Sequence, residues 1–450
     1  MSQNRSARAI FLEGSILRHV IVMTATGSAG LVAIFFVDLL TLIYISRLGD
    51  ANMTAGIGIA SQLSFLFISI QIGFSIAVTA LVSQAYGRGD RDEAERVASS
   101  SLVHIVIVTS AISLLVLPFR RELAAMIGAS GETLDYASLY LLITLPANAF
   151  LAAGMALSGV LRAAGDAARS MYVTLAGAVV IAILDPIFIL WLRMDVTGAG
   201  ISTVGSRMAF ALVGFWGAYK VHGLMRPVGG ETLRRCLKPL FAIALPAMIT
   251  NLAAPVANIY SLRVFASFGD AILAGFAIVD RIVPVAFGVL FAMSGAVGPI
   301  VGQNFGARRF DRVAATLTNC YAVAAGYGLL IWAVLWAASP GIVWLFGASG
   351  PAADFVIFFC KFGAGGWLFL GWLFAANAAF NNLGYPVLAT AFNWGRATLG
   401  VIPFVTLGAY WGGAHGALLG VAAGGAIFGV AALVASFRVV AGLKGRHGSS

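Results

Sequence analysis

The stretch VSQAYGRGDRD at residues 82–92 has a partner, VGQNFGARRFD, at 301–311. Val82/Val301, Gln84/Gln303, Gly87/Gly306 and Asp92/Asp311 are identical pairs 219 residues apart, and Tyr86/Phe305 is a conservative one. Gly165 in LRAAGDA and Gly384 in NNLGYPV keep that spacing, and GDA at 49–51 recurs at 269–271, one residue further on. Three separate matches at nearly one spacing mean that the chain is an internal duplication.

What is duplicated follows from composition. Of 450 residues, 60% are hydrophobic and only 10% charged, with a mean hydropathy of +0.94. A soluble domain carries about a quarter charged residues, so this chain cannot coat itself for water and reads as a polytopic membrane protein. A spanning helix needs roughly 20 mostly apolar residues. Twelve stretches qualify: 17–46, 53–86, 97–118, 135–162, 168–192, 198–221, 238–266, 271–303, 312–338, 354–382, 386–410 and 412–440. The expected fold is all-α, with twelve transmembrane helices in two pseudo-symmetric six-helix bundles. Six is even, so both bundles insert with one orientation, related by an axis along the membrane normal. The expected division is 1–222, a cytoplasmic linker at 223–237, and 238–450.

Nineteen Lys and Arg fall in alternate segments, among them Arg88, Arg91, Arg234, Arg235, Arg308 and Arg309, against five in the intervening ones. The positive-inside rule then puts both termini in the cytoplasm of a cell whose inner (plasma) membrane holds the protein. The first apolar segment is too long for a signal-peptide core and is expected to be retained. The same loop distribution argues that the net charge of +10 serves topology and not nucleic acid. Three cysteines give no disulfide framework or metal spacing. HExxH, GxSxG and P-loop patterns are absent and the five histidines are scattered, so no enzyme, metal or cofactor is expected.

Three acids lie deep in apolar helix: Asp38 in AIFFVDLLTLIYIS, Asp185 in LDPIFIL, and Asp280. A carboxylate in hydrocarbon is costly unless paired, hydrated or protonated, so intramembrane acids default to functional readings. Asp38 and Asp185 both fall in the first half, where such a pair could load and release a proton or bind a hard cation. Asp185-Pro186 also suits the N-cap and first position of a helix resuming after a kink. Asp280 and Arg281 are adjacent, about 100° apart on a helix, and form a second-half charge site that bonds elsewhere. Gly87 and Gly306 are expected C-caps, and Gly412, Gly416, Gly420 and Gly424 a close-packing stripe.

SRLGD at 46–50, VSQAYGRGDRDEA, LRAAGDA, LDPIFIL, VTGAGIST at 196–203, VGQNFGARR and NNLGYP together resemble the multidrug and toxic compound extrusion (MATE) family, from about residue 12 to 440. The resemblance implies two six-helix bundles, in a monomer within the lipid bilayer, that alternate access and export small molecules, organic cations or other amphipathic toxic compounds, against H⁺ or Na⁺. It implies ion coupling at Asp38, Thr41, Asp185, Thr203 and Tyr140. The family's first-helix Asp would fall at Thr41, three residues after Asp38, and its proline near Thr26, where the chain has none. The Asn one turn before LDP is Ile181 here. Losing that amide oxygen weakens a Na⁺ site at Asp38, Asp185 and Thr203 and favours H⁺. The second half has Asn258 in place of Asp38, so coupling belongs to the first half. Asn258, Trp367, Trp372 and Phe374 could line a cavity for flat cations. A competing reading is a flippase of the same superfamily for lipid-linked oligosaccharides, whose anionic diphosphate would use embedded Arg207, Arg281 and Arg396.

Overall fold

A computed structural model describes residues 9–46 and 48–448, without the side chains of Phe35, Asp38, Leu39, Leu42, Ser46 and His447. Among the described residues there are fifteen α-helices and no strand. They are α1 Ile16–Ser46, α2 Ala51–Gly87, α3 Arg91–Val116, α4 Arg120–Met126, α5 Gly131–Thr144, α6 Asn148–Ala163, α7 Ala167–Asp185 and α8 Asp195–Trp216. The rest are α9 Gly230–Ala266, α10 Asp270–Gly306, α11 Phe310–Leu345, α12 Gly350–Phe358, α13 Gly366–Asn382, α14 Pro386–Gly395 and α15 Ile402–Gly448.

Among the described residues, nine helical stretches are long and apolar enough to cross a membrane, and two bent pairs bring the number to eleven. The last stretch, Pro386–Arg446, is itself two spans, because the backbone leaves helical geometry at Gly412 and Gly413. Beyond that point the chain packs back on itself. A Cβ on Gly416, Gly420 or Gly424 would overlap a carbonyl oxygen of Gly408, Phe404 or Gly400 respectively. The glycine stripe thus closes an antiparallel helix hairpin, and the protein is a multi-pass membrane protein of twelve spans.

The duplication holds in the backbone. Gly165 and Gly384 both adopt φ 86°, and Gly131 and Gly350 adopt φ 54° and 55°. The fourth span breaks between α5 and α6 by 55°, and its counterpart between α12 and α13 by 57°. The C-caps differ from expectation: α2 and α10 run through Gly87 and Gly306, and the left-handed residues are Gly89 (φ 75°) and Arg308 (φ 57°). Each helix keeps its glycine as a last turn and reverses two residues later.

The chain packs as two compact units, one containing Ala29–Met248 and the other Phe11–Ser28 with the chain from Ile249 onward. The division lies inside α9. The first turns of α9 explain this: Leu240, Ile243 and Ala244 are buried in one core with Phe74, Val78, Ile105 and Leu157. In the second unit, the segment before α1 is tied down by α10 and α11. Phe11 N–H donates to Gln303 Oε1 (2.9 Å), Asn304 Nδ2 to the Phe11 carbonyl (3.2 Å), and Arg309 to the Leu12 carbonyl (2.8 Å).

Candidate functional site

Two spans of the first unit, those of α7 and α8, end in π-helical turns, Pro186–Trp191 and Gly217–Val221. The chain after α7 winds as a π-turn over Pro186–Trp191, since Pro186 offers no N–H to continue the α pattern. Asp185, the last residue of α7, has helical φ −58° and ψ −53° and no capping hydrogen bond. The expected N-cap role is therefore wrong: the helix changes pitch and does not restart, which frees the carboxyl.

That carboxyl is 1% exposed. Thr41 of α1 donates to its Oδ2, and Ser202 of α8 lies beside it. The Oδ1 oxygen is buried with no hydrogen-bond partner among the described residues. Ser202 gives its own hydrogen to the Gly198 carbonyl (3.1 Å). Thr41 Oγ1 also lies 3.2 Å from the Val37 carbonyl, so its single hydrogen has two acceptors to choose between.

One residue along α8, Thr203 donates to the Ala199 carbonyl (2.9 Å). Its oxygen therefore accepts from the Tyr140 hydroxyl of α5, also at 2.9 Å. Tyr140 is 8% exposed, and Thr144 Oγ1 bonds its carbonyl (2.8 Å). Of the five coupling residues expected from sequence, the structure pairs Asp185 with Thr41 and Tyr140 with Thr203, both pairs meeting α8. The side chain of Asp38 lies outside the described residues.

The second-half candidates scatter. Asp280 and Arg281 are exposed on α10 and form no ion pair with a described residue. Asn258 is exposed on α9. Trp367 and Phe374 do share a cluster: Trp367 stacks on Phe287 (5.2 Å between centroids), and Phe291 touches both. Trp372 is elsewhere. It lies five residues from Trp367, well round the helix, and donates to the Tyr321 carbonyl of α11 (3.1 Å) while packing on Tyr321. It is a packing residue, apart from the other two.

Sequence reading passed over the network behind Tyr140. Arg207 of α8, 7% exposed, donates to the Thr144 carbonyl and to Asn148 Oδ1 (2.7 Å), the two ends of the α5/α6 break. Asn148 also bonds Ser113 (3.4 Å), and its carbonyl receives Gln71 Nε2 (3.5 Å). The available signal was Pro146 in TLPAN, a helix breaker inside an apolar span.

A family model described as MatE matches residues 28–187 and again 246–406. A FAD transporter of Shewanella oneidensis is 25% identical over 419 residues, covering 91% of each chain. The multidrug export protein MepA of Staphylococcus haemolyticus is 25% identical over 297 residues, 66% of each. A solved variant of the Vibrio cholerae MATE transporter VcmN superposes with a TM-score of 0.90 at 24% identity, over 95% of this chain and 97% of that one.

Proposed function

Because this chain belongs to the MatE family of transporters, we propose that it is a multidrug efflux transporter of the plasma membrane, driven by proton antiport, with Asp185 carrying the coupling proton. Members of the family are transporters and not enzymes. MepA, a multidrug export protein among the relatives, supports the substrate class. The positive-inside count supports cytoplasmic termini.

The observation that carries the proton assignment is the Asp185 carboxyl itself: buried, held at one oxygen by Thr41, and without a hydrogen-bond partner at the other among the described residues. Ionised, it accepts the Thr41 hydrogen. Protonated, it donates to Thr41, whose hydrogen then turns to the Val37 carbonyl. One hydroxyl thus serves both protonation states without moving the backbone. The oxygen without a partner among the described residues is costly in a buried site while charged; protonation relieves that cost, and the proton leaves when a change of access hydrates the carboxylate. Around Asp185 the described oxygens come from Thr41 and Ser202; a Na⁺ ion wants more, and Ile181 supplies none.

The test is dye efflux from proteoliposomes of the full chain under imposed pH or Na⁺ gradients, applied separately. A pH gradient should drive efflux, a protonophore should abolish it, and Asp185→Asn should not transport. Efflux that ignores the protonophore and follows Na⁺ overturns the ion assignment.

A second reading has support of its own. The FAD transporter matches 91% of both chains, more than MepA does. FAD accumulation in the same vesicles, competing with dye, favours this reading; dye efflux indifferent to FAD removes it.

A further inference from the structure

The broken fourth span is where a buried cation meets the coupling residues. At the end of α5, Pro146 interrupts the helix, and Asn148 N–H turns to the Leu145 carbonyl (3.0 Å) instead of that of Thr144. The Thr144 carbonyl is left with a turn-type bond from Ala147 N–H (3.2 Å) and the Arg207 guanidinium. The aligned carbonyls at a helix C-terminus carry a partial negative charge, which suits a guanidinium. The same nitrogen holds Asn148, the first residue of α6, so Arg207 grips both sides of the break.

Is the arginine needed for the bend? The second half answers. Its break is as sharp, 57° against 55°, yet the residue 219 positions beyond Arg207 is Ala426. There the neutral Trp332 indole N–H satisfies the Lys361 carbonyl (2.9 Å). The positions matching Tyr140 and Thr203 are Phe359 and Ala422. The cation is present where the hydroxyl pair is present, and absent where it is absent.

We propose that Arg207 is a positioning residue of the coupling site: by clamping Thr144 and Asn148 to α8, it holds the last turn of α5 so that Tyr140 reaches Thr203. Arg207 and Thr203 are one turn apart on α8, and Thr144 is one turn from Tyr140 on α5 and bonded to its carbonyl. The clamp and the hydroxyl pair are thus two rungs between the same two helices. This inference rests on the coupling reading above.

The test is a double-mutant cycle in proteoliposomes of the full chain, with pH-gradient-driven efflux of a fluorescent organic cation as readout. Arg207→Gln and Tyr140→Phe should each lower the maximal rate about tenfold, with KM for the dye nearly unchanged. The double variant should be no slower than either single one, because on this proposal Arg207 acts only by placing the Tyr140 hydroxyl that Tyr140→Phe removes. Arg207→Lys should recover most of the rate, since an ammonium still donates to the Thr144 carbonyl. Multiplying effects in the double variant, or wild-type rates in Arg207→Gln, overturn the proposal. Should Arg207→Gln not fold, the cycle of Asn148→Ala, which removes one of the two groups Arg207 holds, with Tyr140→Phe carries the same decision. Asp185→Asn separates the two layers. Coupling lost in that variant alongside multiplying effects at 207 and 140 sinks only the positioning role; wild-type, gradient-driven efflux in it sinks the coupling reading.

Discussion

Tyr140, Asp185, Thr203 and Arg207 of the first half are matched, 219 residues on, by Phe359, Phe404, Ala422 and Ala426 of the second. Both fourth-span helices break by nearly the same angle, and Gly165 and Gly384 share φ 86°, although the π-helical turns fall at Pro186–Trp191 and Gly217–Val221 in the first half and at Phe359–Gly363 and Arg396–Gly400 in the second. The bend of the fourth span is therefore achievable with apolar residues at these positions. What the first half adds is chemistry. It is a buried acid with a hydroxyl on one oxygen, a second hydroxyl pair, and a guanidinium behind it.

Each substitution that follows tests this contrast. The largest effect belongs to Asp185→Asn, which keeps the volume but cannot exchange a proton; gradient-driven efflux should fall by about 100-fold or more, measured as initial rates. Thr41→Val should come next, with about a tenfold loss, since the carboxylate then loses the Thr41 hydroxyl that donates to its Oδ2. Its pH–rate profile should move as well. Phe404, the second-half counterpart of Asp185, should tolerate Leu with efflux within about twofold of wild type; a loss comparable to that of Asp185→Asn would break the contrast. In the hairpin, Gly424→Ala should destabilise by about 1–3 kcal/mol, because its Cβ would overlap the Gly400 carbonyl. Thermal unfolding in detergent reads this.

The smallest effect concerns a loop. Asp166, between α6 and α7, accepts from His222 (2.8 Å) and Arg169. Burial would raise its carboxyl, but the His222 and Arg169 hydrogen bonds win and hold it well below the usual carboxylate range. A carboxyl depressed in the folded state contributes stability above its unfolded pKa, about 3.9, and loses it as pH falls further towards the folded value. Asp166→Asn should thus lower Tm by roughly 2–4 °C at pH 7. The gap between variant and wild type should narrow below about pH 4.

How much of this could be read from sequence depends on the range of the interaction. The duplication, the twelve spans and the glycine stripe are local patterns, and hydropathy and periodicity carry them. Asp185 was legible as a buried acid, but its freedom from capping was not, because the π-turn after it reflects a backbone choice that Asp-Pro leaves open. Trp367 and Phe374 fell together and Trp372 fell away, as their seven- and five-residue separations dictate once a helix is granted. Arg207 was visible only as an embedded cation. Its partners lie 63 and 59 residues earlier, and only the fold brings them to it. The unit boundary inside α9 was hidden for the same reason: Leu240 and Ile243 look like any spanning residues until their neighbours are known.

The most direct test of the central claim is proton release on substrate binding, followed in weakly buffered detergent with the purified transporter. Wild type should release about one proton per substrate bound, and Asp185→Asn should bind the same substrate and release none. Equal release from both proteins would place the coupling proton elsewhere and contradict the account.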